Sequence, residues 1–599
     1  MTAYQTSEHD VIVVGAGGAG LRAAIEASAQ GVSVGLVCKS LLGKAHTVMA
    51  EGGMAAALAN VRPEDSWKVH FRDTMRGGKF LNNWRMALLH AKEAPDRVNE
   101  LEEWGAVFDR TKDGRINQRP FGGHTYQRLA HVGDRTGLEM IRTLQDHGVH
   151  RGLHVYMECT VVDLLLDGGR VAGAVAYWRN TGEFVVFRAK AVVMATGGIG
   201  KAWKVTSNSW EYTGDGHALA YFAGADLLDM EFQQFHPTGM VWPPSVRGTL
   251  VTEGVRGEGG VLRNNQGRRF MFDNIPPLYR ADTADTEEEA ARWVTGDRLK
   301  NRRPPELLTR DEVSRAIRRE VKEGRGSPHG GVLLDIASVR PAEYIKRSLP
   351  SMYHQFKELA GVDITREPME VGPTCHYAMG GVRVDADTAA STVPGLYAAG
   401  EAAAGLHGAN RLGGNSLSDL LVFGRRAGHA AAEYAKSLAS APRIDEGAAR
   451  DSIARALAPL GREGENPYTI QNDLQEMMDR NVGIVRAPEE LSGAIDAIRR
   501  LRERLNRVGV GGTRTYNPGW HLALDLRCLL VCAEAVARAA LTRTESRGAH
   551  TRLDFPKSEE RWGKVNLVVR RGGDGMSIVE QPLEPVPEEF RAYVYGDKA

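Results

Sequence analysis

A glycine-rich turn near the start of the chain limits the folds that the protein can adopt. Residues 11–14 (Val-Ile-Val-Val) form a short apolar run, which predicts a buried parallel strand. The turn Gly15-Ala16-Gly17-Gly18-Ala19-Gly20 follows it. A helix is predicted over residues 21–30, ended by Gly31, and a second strand over residues 32–38. Together these segments form a βαβ unit.

The turn has the form of a dinucleotide-binding fingerprint. Gly15 permits a tight turn, Gly17 lets the backbone approach a pyrophosphate, and Gly20 lets the helix pack closely. The backbone amides at the helix start would then face the phosphates. We therefore predict nucleotide binding by the whole turn: Gly15, Ala16, Gly17, Gly18, Ala19 and Gly20. The second strand ends in Cys38-Lys39-Ser40 without an acidic residue to hold a ribose, which argues against NAD.

Two later apolar segments predict further strands of the same sheet. They are residues 191–195, followed by Thr196-Gly197-Gly198, and residues 395–399, followed by Gly400-Glu401. The sheet is therefore expected to be assembled from two separated stretches of chain, with an inserted domain between them. After Gly428 the pattern becomes helical, and an apolar stripe from Leu491 to Val508 predicts a core-facing helix.

Composition excludes several classes of protein. A length of 599 residues predicts roughly two to four domains. The net charge of +1 argues against broad nucleic-acid binding. Five scattered cysteines predict buried free thiols in a reducing compartment, not a disulfide framework or a cluster site. The most apolar stretch, residues 528–533, is too short to span a membrane, and no signal peptide is visible. The polypeptide is expected to be soluble by itself.

Motifs along nearly the whole chain carry a family resemblance. The first is Gly43-Lys44-Ala45-His46-Thr47-Val48-Met49-Ala50-Glu51-Gly52-Gly53. The others, in order, are Arg119-Pro120-Phe121-Gly122-Gly123, Asp134-Arg135-Thr136-Gly137, Thr213-Gly214-Asp215-Gly216, Gln234-Phe235-His236-Pro237-Thr238-Gly239, Leu250-Val251-Thr252-Glu253-Gly254-Val255-Arg256-Gly257-Glu258-Gly259-Gly260, Thr309-Arg310-Asp311, Pro373-Thr374-Cys375-His376-Tyr377, His407-Gly408-Ala409-Asn410-Arg411-Leu412-Gly413-Gly414-Asn415-Ser416-Leu417, Glu545-Ser546-Arg547-Gly548-Ala549-His550 and Asp554-Phe555-Pro556. Together they resemble the flavoprotein subunit of succinate dehydrogenase and fumarate reductase, the complex II family.

The resemblance implies a fold and a cofactor. The fold is α/β: a Rossmann-like FAD-binding domain (1–235 and 371–437) with an inserted α+β capping domain (236–370), then a helical domain (438–543) and a small C-terminal domain (544–599). FAD would be bound covalently through His46, which would make it a stronger oxidant than free FAD. The implied FAD contacts outside the glycine turn are Lys39, Ser40, Thr47, Glu51, Gly52, Gly53, Asp215, Glu401, Ser416 and Leu417. Taken alone, His46 could be a surface histidine, and Asp215 and Glu401 could cap turns.

The resemblance also implies a substrate site for succinate or fumarate. Arg411 and His376 would clamp one carboxylate, and His236 and Thr252 the other, beside Glu253. Arginine suits this role because its planar fork matches a carboxylate. Holding the diacid twisted between these groups would align one C–H bond with the flavin. Phe121 would pack over the substrate carbons, although ordinary loop packing explains it nearly as well.

Proton transfer is assigned by the resemblance to Arg310. Because a guanidinium is almost always protonated, Arg310 is plausible only as one link of a relay, with Glu253 and Arg256 passing the proton to solvent. A buried structural ion pair is the alternative for this trio.

Partners are implied as well. Electrons would leave through a separate iron–sulfur subunit, since this chain has no cluster motif or metal site, and then through membrane anchor subunits to a quinone. That places the chain peripherally at the cytoplasmic face of a bacterial cell membrane. Glu51 stands where many succinate dehydrogenases have Gln and many fumarate reductases have Glu, so the direction of the reaction stays open. The charged segment 281–306, longer than its counterpart in the family, predicts an exposed excursion that contacts a neighbouring subunit.

Three alternatives fit the sequence less well. L-aspartate oxidase shares the fold but holds FAD without a covalent histidine, so His46 argues against it. A fumarate reductase fed by a haem domain would need a Cys-x-x-Cys-His motif, which the sequence lacks. A silent flavin-binding scaffold should have lost some of the substrate and proton-transfer residues, and none of them is missing.

Overall fold

The computed structural model describes residues 4–296, 298, 300–573 and 575–596. Its strands are β1 (Tyr4–Val14), β2 (Val34–Val37), β3 (Met54–Ala55), β4 (Gln118–Arg119), β5 (Leu129–Ala130), β6 (His154–Tyr156), β7 (Cys159–Asp167), β8 (Arg170–Trp178), β9 (Phe184–Met194), β10 (Leu227–Leu228), β11 (Gln233–Met240), β12 (Val261–Arg263), β13 (Val332–Asp335), β14 (Met369–Ala378), β15 (Gly381–Arg383), β16 (Leu396–Ala398), β17 (Ala403–Ala404), β18 (Val485–Arg486), β19 (Thr551–Arg552), β20 (Val565–Gly572) and β21 (Gly575–Pro582).

The helices are α1 (Gly18–Ala29), α2 (Trp67–Gly77), α3 (Trp84–Glu103), α4 (Thr136–His150), α5 (Asp215–Phe222), α6 (Gly254–Gly257), α7 (Glu287–Thr295), α8 (Arg310–Lys322), α9 (Ala342–Ser348), α10 (Pro350–Ala360), α11 (Asn415–Ser437), α12 (Glu446–Leu457), α13 (Pro467–Asn481), α14 (Pro488–Leu505), α15 (Pro518–Thr542) and α16 (Glu588–Tyr595). No helix within the described ranges is long and apolar enough to cross a membrane.

The largest sheet carries the predicted βαβ unit. Its order is β6-β2-β1-β9-β8-β7, with β16 paired to β9. β1 lies parallel to both β2 and β9, and β16 lies parallel to β9. Because β16 comes far along the chain, the sheet is assembled from two separated stretches, as the sequence predicted. β1 begins earlier than expected, since the polar residues from Tyr4 onward also pair with β9.

The inserted segment has a sheet and a core of its own. The sheet order is β11-β14-β13-β12, and its core includes Met240, Val255, Ile317 and Met369. The chain enters this domain along β11 and leaves it along β14, and these two strands are antiparallel neighbours. Residues on the incoming and outgoing strands therefore lie side by side. The domain boundaries themselves stay predictions.

The helical pattern expected after Gly428 begins earlier than predicted. α11 starts at Asn415, capped by Gly414 in the left-handed region with φ +89°. Gly428 lies inside this helix because α11 packs directly on α1: a Cβ at Gly428 would lie 2.2 Å from the carbonyl oxygen of Ala23. The glycine therefore serves a close helix contact and does not mark a helix start. As a result, Ser416 and Leu417 lie in the first turn of α11.

The end of the chain completes a second sheet, ordered β17-β15-β10-β20-β21. Arg543, at the C-terminal end of α15, is fully buried and donates to Glu231 at 2.6 Å and to Glu545 at 3.2 Å. The stripe predicted along α14 faces the core, and all five cysteines are buried and free.

The charged segment 281–306 is only partly exposed, which corrects the sequence prediction. Glu287 and Glu288 face solvent, but α7 is amphipathic and buries Trp293 and Val294. Glu306 is fully buried and pairs with Arg269 at 2.7 Å. The apolar residues of α7 recur with the period of an amphipathic helix, and the many charged residues around them conceal that pattern in the sequence. Contact with a neighbouring subunit stays a prediction.

Candidate functional site

A single cavity joins the glycine turn to the inserted domain. Of the residues predicted to bind cofactor or substrate or to transfer the proton, all but Gly20 and Arg256 line it: Gly15, Ala16, Gly17, Gly18, Ala19, Lys39, Ser40, His46, Thr47, Glu51, Gly52, Gly53, Phe121, Asp215, His236, Thr252, Glu253, Arg310, His376, Glu401, Arg411, Ser416 and Leu417. The residues predicted to bind the cofactor and those predicted to bind the substrate therefore line one cavity.

The glycine turn has the geometry that a pyrophosphate requires. Gly15 has φ +108°, and a Cβ there would lie 2.2 Å from the carbonyl oxygen of Ala195. Gly20 does not line the cavity, but a Cβ there would lie 1.7 Å from the carbonyl oxygen of Gly15, so this position requires glycine. α1 starts at Gly18 with no acidic residue in its first turn. The Gly18 N–H donates to Thr47 Oγ1 at 3.3 Å, and the positive end of the helix dipole suits a phosphate group.

Lys39 lines the cavity and lies among acidic partners. Its Nζ donates to Thr213 Oγ1 at 2.7 Å, Asp215 Oδ2 at 3.0 Å and Asp525 Oδ1 at 2.6 Å. Burial alone would lower the pKa of Lys39, but Asp215 and Asp525 outweigh it and hold the pKa above its ordinary value. Asp525 comes from α15, and no pattern in the sequence connected it with this site.

Lys39→Met is expected to destabilise the protein by about 3–5 kcal/mol, because two buried carboxylates would face each other without their cation. A lower melting temperature and weaker retention of FAD would report this loss. Lys204→Met is the matched control: Lys204 pairs with Glu476 at an exposed site, where ion pairs contribute about 0–1 kcal/mol. Equal melting temperatures for the two variants would contradict the prediction.

His46 lies in a short 3-10 helix, His46–Met49, with its ring in the cavity wall. The backbone N–H of Ser209 donates to Nδ1 at 3.3 Å, and Asn208 Nδ2 lies 3.3 Å from Nε2. The Tyr212 ring packs on it at 4.5 Å between centroids. Burial, and then the charge of Lys201, lower the pKa of His46 to about 4. The imidazole is therefore neutral at pH 7 and keeps a nucleophilic lone pair.

Two further carboxyl groups, those of Glu401 and Glu51, line the cavity. Glu401 accepts a hydrogen bond from the Ala378 N–H at 3.0 Å, and burial raises its pKa to about 7. Burial, and then the charge of Asp134, hold the pKa of Glu51 well above its usual range despite Arg119. The protonated form of Glu51 is therefore favoured.

Arg411 and His376 form one half of the predicted substrate cage. The Arg411 guanidinium packs on the Tyr377 ring at 4.2 Å and donates to Ser416 Oγ. Burial, and then the charge of Arg310, lower the pKa of Arg411 to about 9, so it stays charged at neutral pH. His376 Nδ1 lies 2.8 Å from Ser207 Oγ, which fixes the orientation of its ring.

His236 and Thr252 form the other half. The His236 ring lies 5.1 Å from that of His376, because β11 and β14 are paired here. Its Nδ1 lies 3.0 Å from the Thr238 carbonyl oxygen and 3.3 Å from the Thr238 backbone nitrogen, so these contacts fix the ring and leave Nε2 available to a ligand. Burial, and then Arg310, hold the pKa of His236 well below its ordinary value.

Phe121 fills a slot made by two glycines. A Cβ at Gly52 would lie 2.7 Å from its ring, and one at Gly413 would lie 2.5 Å from it. The ring is buried yet lines the cavity, so it presents an apolar surface between the cofactor and substrate parts of the site.

The three residues of the predicted proton relay are in contact. Arg310 Nε donates to Glu253 Oε2 at 2.9 Å, and Arg256 Nη2 lies 3.6 Å from the same oxygen. Burial would raise the pKa of Glu253, but Arg310 and Arg256 outweigh it, so its pKa is lowered. Arg256 is fully buried and donates to the Glu306 carbonyl oxygen at 2.6 Å. It does not itself reach solvent, so the predicted route needs a further link beyond Arg256.

Sequence reasoning assigned no role to several residues that hold this site together. Ser207 and Asn208 contact His376 and His46 but lie in no glycine motif. Gln234 is bonded to both Arg310 and Arg411. The one available signal for Gln234 was its place two residues before His236, on the same face of β11.

Comparisons with known proteins agree with this site. The chain matches the FAD binding domain family over residues 10–417 and the fumarate reductase flavoprotein C-terminal family over residues 471–593. It is 45% identical over 566 residues to a subunit of the CoM/CoB fumarate reductase of Methanothermobacter marburgensis, covering 94% of this chain and 97% of that protein.

Two solved structures extend the comparison. Mycobacterium smegmatis Sdh1 in complex with UQ1 is 58% identical, with a TM-score of 0.85 over 99% of this chain and 96% of that one. A point variant of FrdA from E. coli quinol fumarate reductase is 36% identical, with a TM-score of 0.89 over 99% of this chain and 100% of that one. The similar proteins thus include both dehydrogenases and reductases.

Proposed function

Because the chain belongs to the flavoprotein subunit family of succinate dehydrogenase and fumarate reductase, we propose that this FAD-dependent oxidoreductase oxidises succinate to fumarate. The observation that carries the proposal is the single cavity in which a dinucleotide-binding turn adjoins a cage of two arginines and two histidines. When bound, FAD supplies the hydride acceptor. The protein supplies the binding, orientation and proton transfer.

The cage suits a small dicarboxylate. Arg411, a buried cation, and His376 would hold one carboxylate, and Thr252 and the Nε2–H of His236 would hold the other. These groups are fixed by Tyr377, Ser207 and the Thr238 backbone, so little side-chain freedom is lost when the diacid binds. Fixing both carboxylates restricts the orientation of the carbons between them, which contributes to catalysis by positioning.

Arg310 would exchange the proton of the reacting carbon. It lines the cavity and is bonded on its far side to Glu253, which in turn contacts Arg256. The alternative, a purely structural ion pair, does not account for the position of Arg310 in the cavity wall.

The contacts of His46 support a covalent bond to FAD. The Ser209 N–H faces Nδ1 and the Asn208 NH₂ group faces Nε2, so both ring nitrogens of the neutral imidazole lie next to hydrogen-bond donors. A bond to FAD at Nε2 would leave Nδ1 as the acceptor of the Ser209 N–H and would displace the Asn208 amide from Nε2.

Partners and location follow from the same family. Electrons would pass to an iron–sulfur subunit, then through membrane anchor subunits to a quinone, at the cytoplasmic face of the cell membrane. The similar Mycobacterium smegmatis Sdh1 was solved in complex with UQ1, which supports a quinone as the final acceptor.

Fumarate reduction is the second candidate, favoured by Glu51 and by the reductases among the similar proteins. The test is to measure both directions with the purified complex and quinones of high and low potential. Faster succinate oxidation with a high-potential quinone is expected. Fumarate reduction that is faster with every quinol would assign the chain as a reductase.

A further inference from the structure

Gln234 lies between the two arginines of the site. Its side chain is fully buried in β11. Its Oε1 accepts one hydrogen bond from Arg310 Nη1 at 3.2 Å and another from Arg411 Nη2 at 3.2 Å. One amide oxygen thus joins the residue proposed to move the proton to the residue proposed to clamp a carboxylate.

The orientation of the Gln234 amide is fixed by its other end. Nε2 lies 2.8 Å from the Arg411 carbonyl oxygen, which can only accept a hydrogen bond, and 2.8 Å from Asn410 Oδ1. The NH₂ group must therefore face the backbone, and the oxygen must face the guanidinium groups. The arrangement leaves no alternative flip of the amide.

Because the Gln234 amide is neutral, it does not cancel the charge of either arginine in the substrate cage. Arg310 has a carboxylate partner, Glu253, at 2.9 Å. Arg411 forms no salt bridge with any residue in the described ranges, and its side-chain partners are the neutral Ser416, Tyr377 and Gln234. A carboxylate at position 234 would neutralise Arg411 and repel a dianion. An apolar residue would leave two neighbouring cations without a shared acceptor.

We propose that Gln234 is a positioning residue that fixes the spacing of Arg310 and Arg411 while leaving the Arg411 charge free for the substrate, and so helps to select a dianionic substrate. The inference rests on the proposed function of the site. It gives the amide two separable effects, one on dicarboxylate affinity and one on proton transfer at Arg310.

The test compares Gln234→Glu and Gln234→Met in the holoenzyme complex. Gln234→Glu is expected to raise KM for succinate by about 10–100-fold, because the new carboxylate competes for Arg411. It should also move the acidic limb of the pH–kcat profile to higher pH by about one unit or more, since a negative charge stabilises protonated Arg310. Gln234→Met removes a hydrogen-bond acceptor from protonated Arg310, so the acidic limb of the pH–kcat profile of this variant should move to lower pH.

The opposite shifts of the two variants are the readout that a merely structural role would not produce. Gln233→Glu and Gln233→Met are the matched controls, since Gln233 is the buried neighbour in β11 and faces Cys375 at 3.3 Å. Neither control should move the limb. Flavin content and melting temperature are measured for all four variants. Where a glutamate variant is unstable, equilibrium binding of malonate, a dicarboxylate that cannot be oxidised across two carbons, is compared between the two methionine variants.

Unchanged KM, pH profile and malonate affinity in the Gln234 variants would overturn the inference, as would shifts of the limb in the same direction. A wild-type complex that turns over neither succinate nor fumarate would instead refute the proposed function itself. The two failures are therefore distinguishable.

Discussion

Arg310→Ala is expected to lower kcat in both directions by about 10²–10⁴-fold, the usual contribution of a general acid or base. Arg310 lines the cavity and donates to Glu253, and the variant removes the group to which we assign proton transfer. FAD and dicarboxylate should still bind, because the carboxylate contacts assigned to Arg411, His376, His236 and Thr252 remain. Steady-state kinetics, flavin content and malonate binding would be measured together.

Arg315→Ala is the matched control for this variant. Arg315 lies on the same helix, α8, and pairs with Asp311 and Glu312 at 3.3 and 2.7 Å. Its loss removes a half-buried arginine that does not line the cavity, so turnover should stay near that of the wild type. Substantial activity in Arg310→Ala, with the control intact, would refute proton transfer at Arg310 and restore the structural ion-pair interpretation.

His46→Ser is expected to retain FAD without a covalent bond and to lose succinate oxidation before fumarate reduction. Succinate is a weak reductant, and the covalent bond is expected to make the flavin a stronger oxidant. Removing it therefore penalises the oxidative direction more than the reductive one. The measurement is flavin fluorescence of the protein band on a denaturing gel, followed by activity in both directions.

The wild-type protein should give a fluorescent band at the mass of the chain, and His46→Ser should give none. His154→Ser, at an exposed histidine in β6, should behave as the wild type does. A wild-type band without fluorescence would instead favour L-aspartate oxidase. Succinate oxidation that survives intact in His46→Ser would show that the potential of the flavin does not depend on this bond.

The local parts of the fold were predictable because their causes are local. A valine-rich strand, a glycine turn and a helix follow directly from neighbouring residues, and Gly20 is required by a close contact with the Gly15 backbone within that unit. Gly15 itself packs against the backbone of the distant Ala195, after β9. The prediction that the helical region begins after Gly428 was wrong, because this glycine is required by a contact between α11 and α1 that no local pattern reveals. The burial of Trp293 was missed because charged neighbours outnumber the apolar residues of α7.

The residues of the site also fall into those that the sequence could predict and those that it could not. Motif resemblance placed His236, His376, Arg310 and Arg411 together, and the described structure brings them into one cavity. Spacing along the chain could not have done so, since β11 and β14 meet only after the insert has folded. Gln234 and Asp525 act through contacts between distant elements, so their roles became visible only with the tertiary structure.

Because β11 pairs with β14, the two strands that connect the inserted domain to the rest of the chain also carry residues of the site. Both peptide connections to the insert pass through the strands that carry His236 and His376. Exchanging this domain for another at the same junction would disturb the two strands that carry His236 and His376, to which we assign carboxylate contacts. We therefore expect variation in the insert on surfaces away from these strands, such as the acidic side of α7, where added residues leave the histidine pair undisturbed.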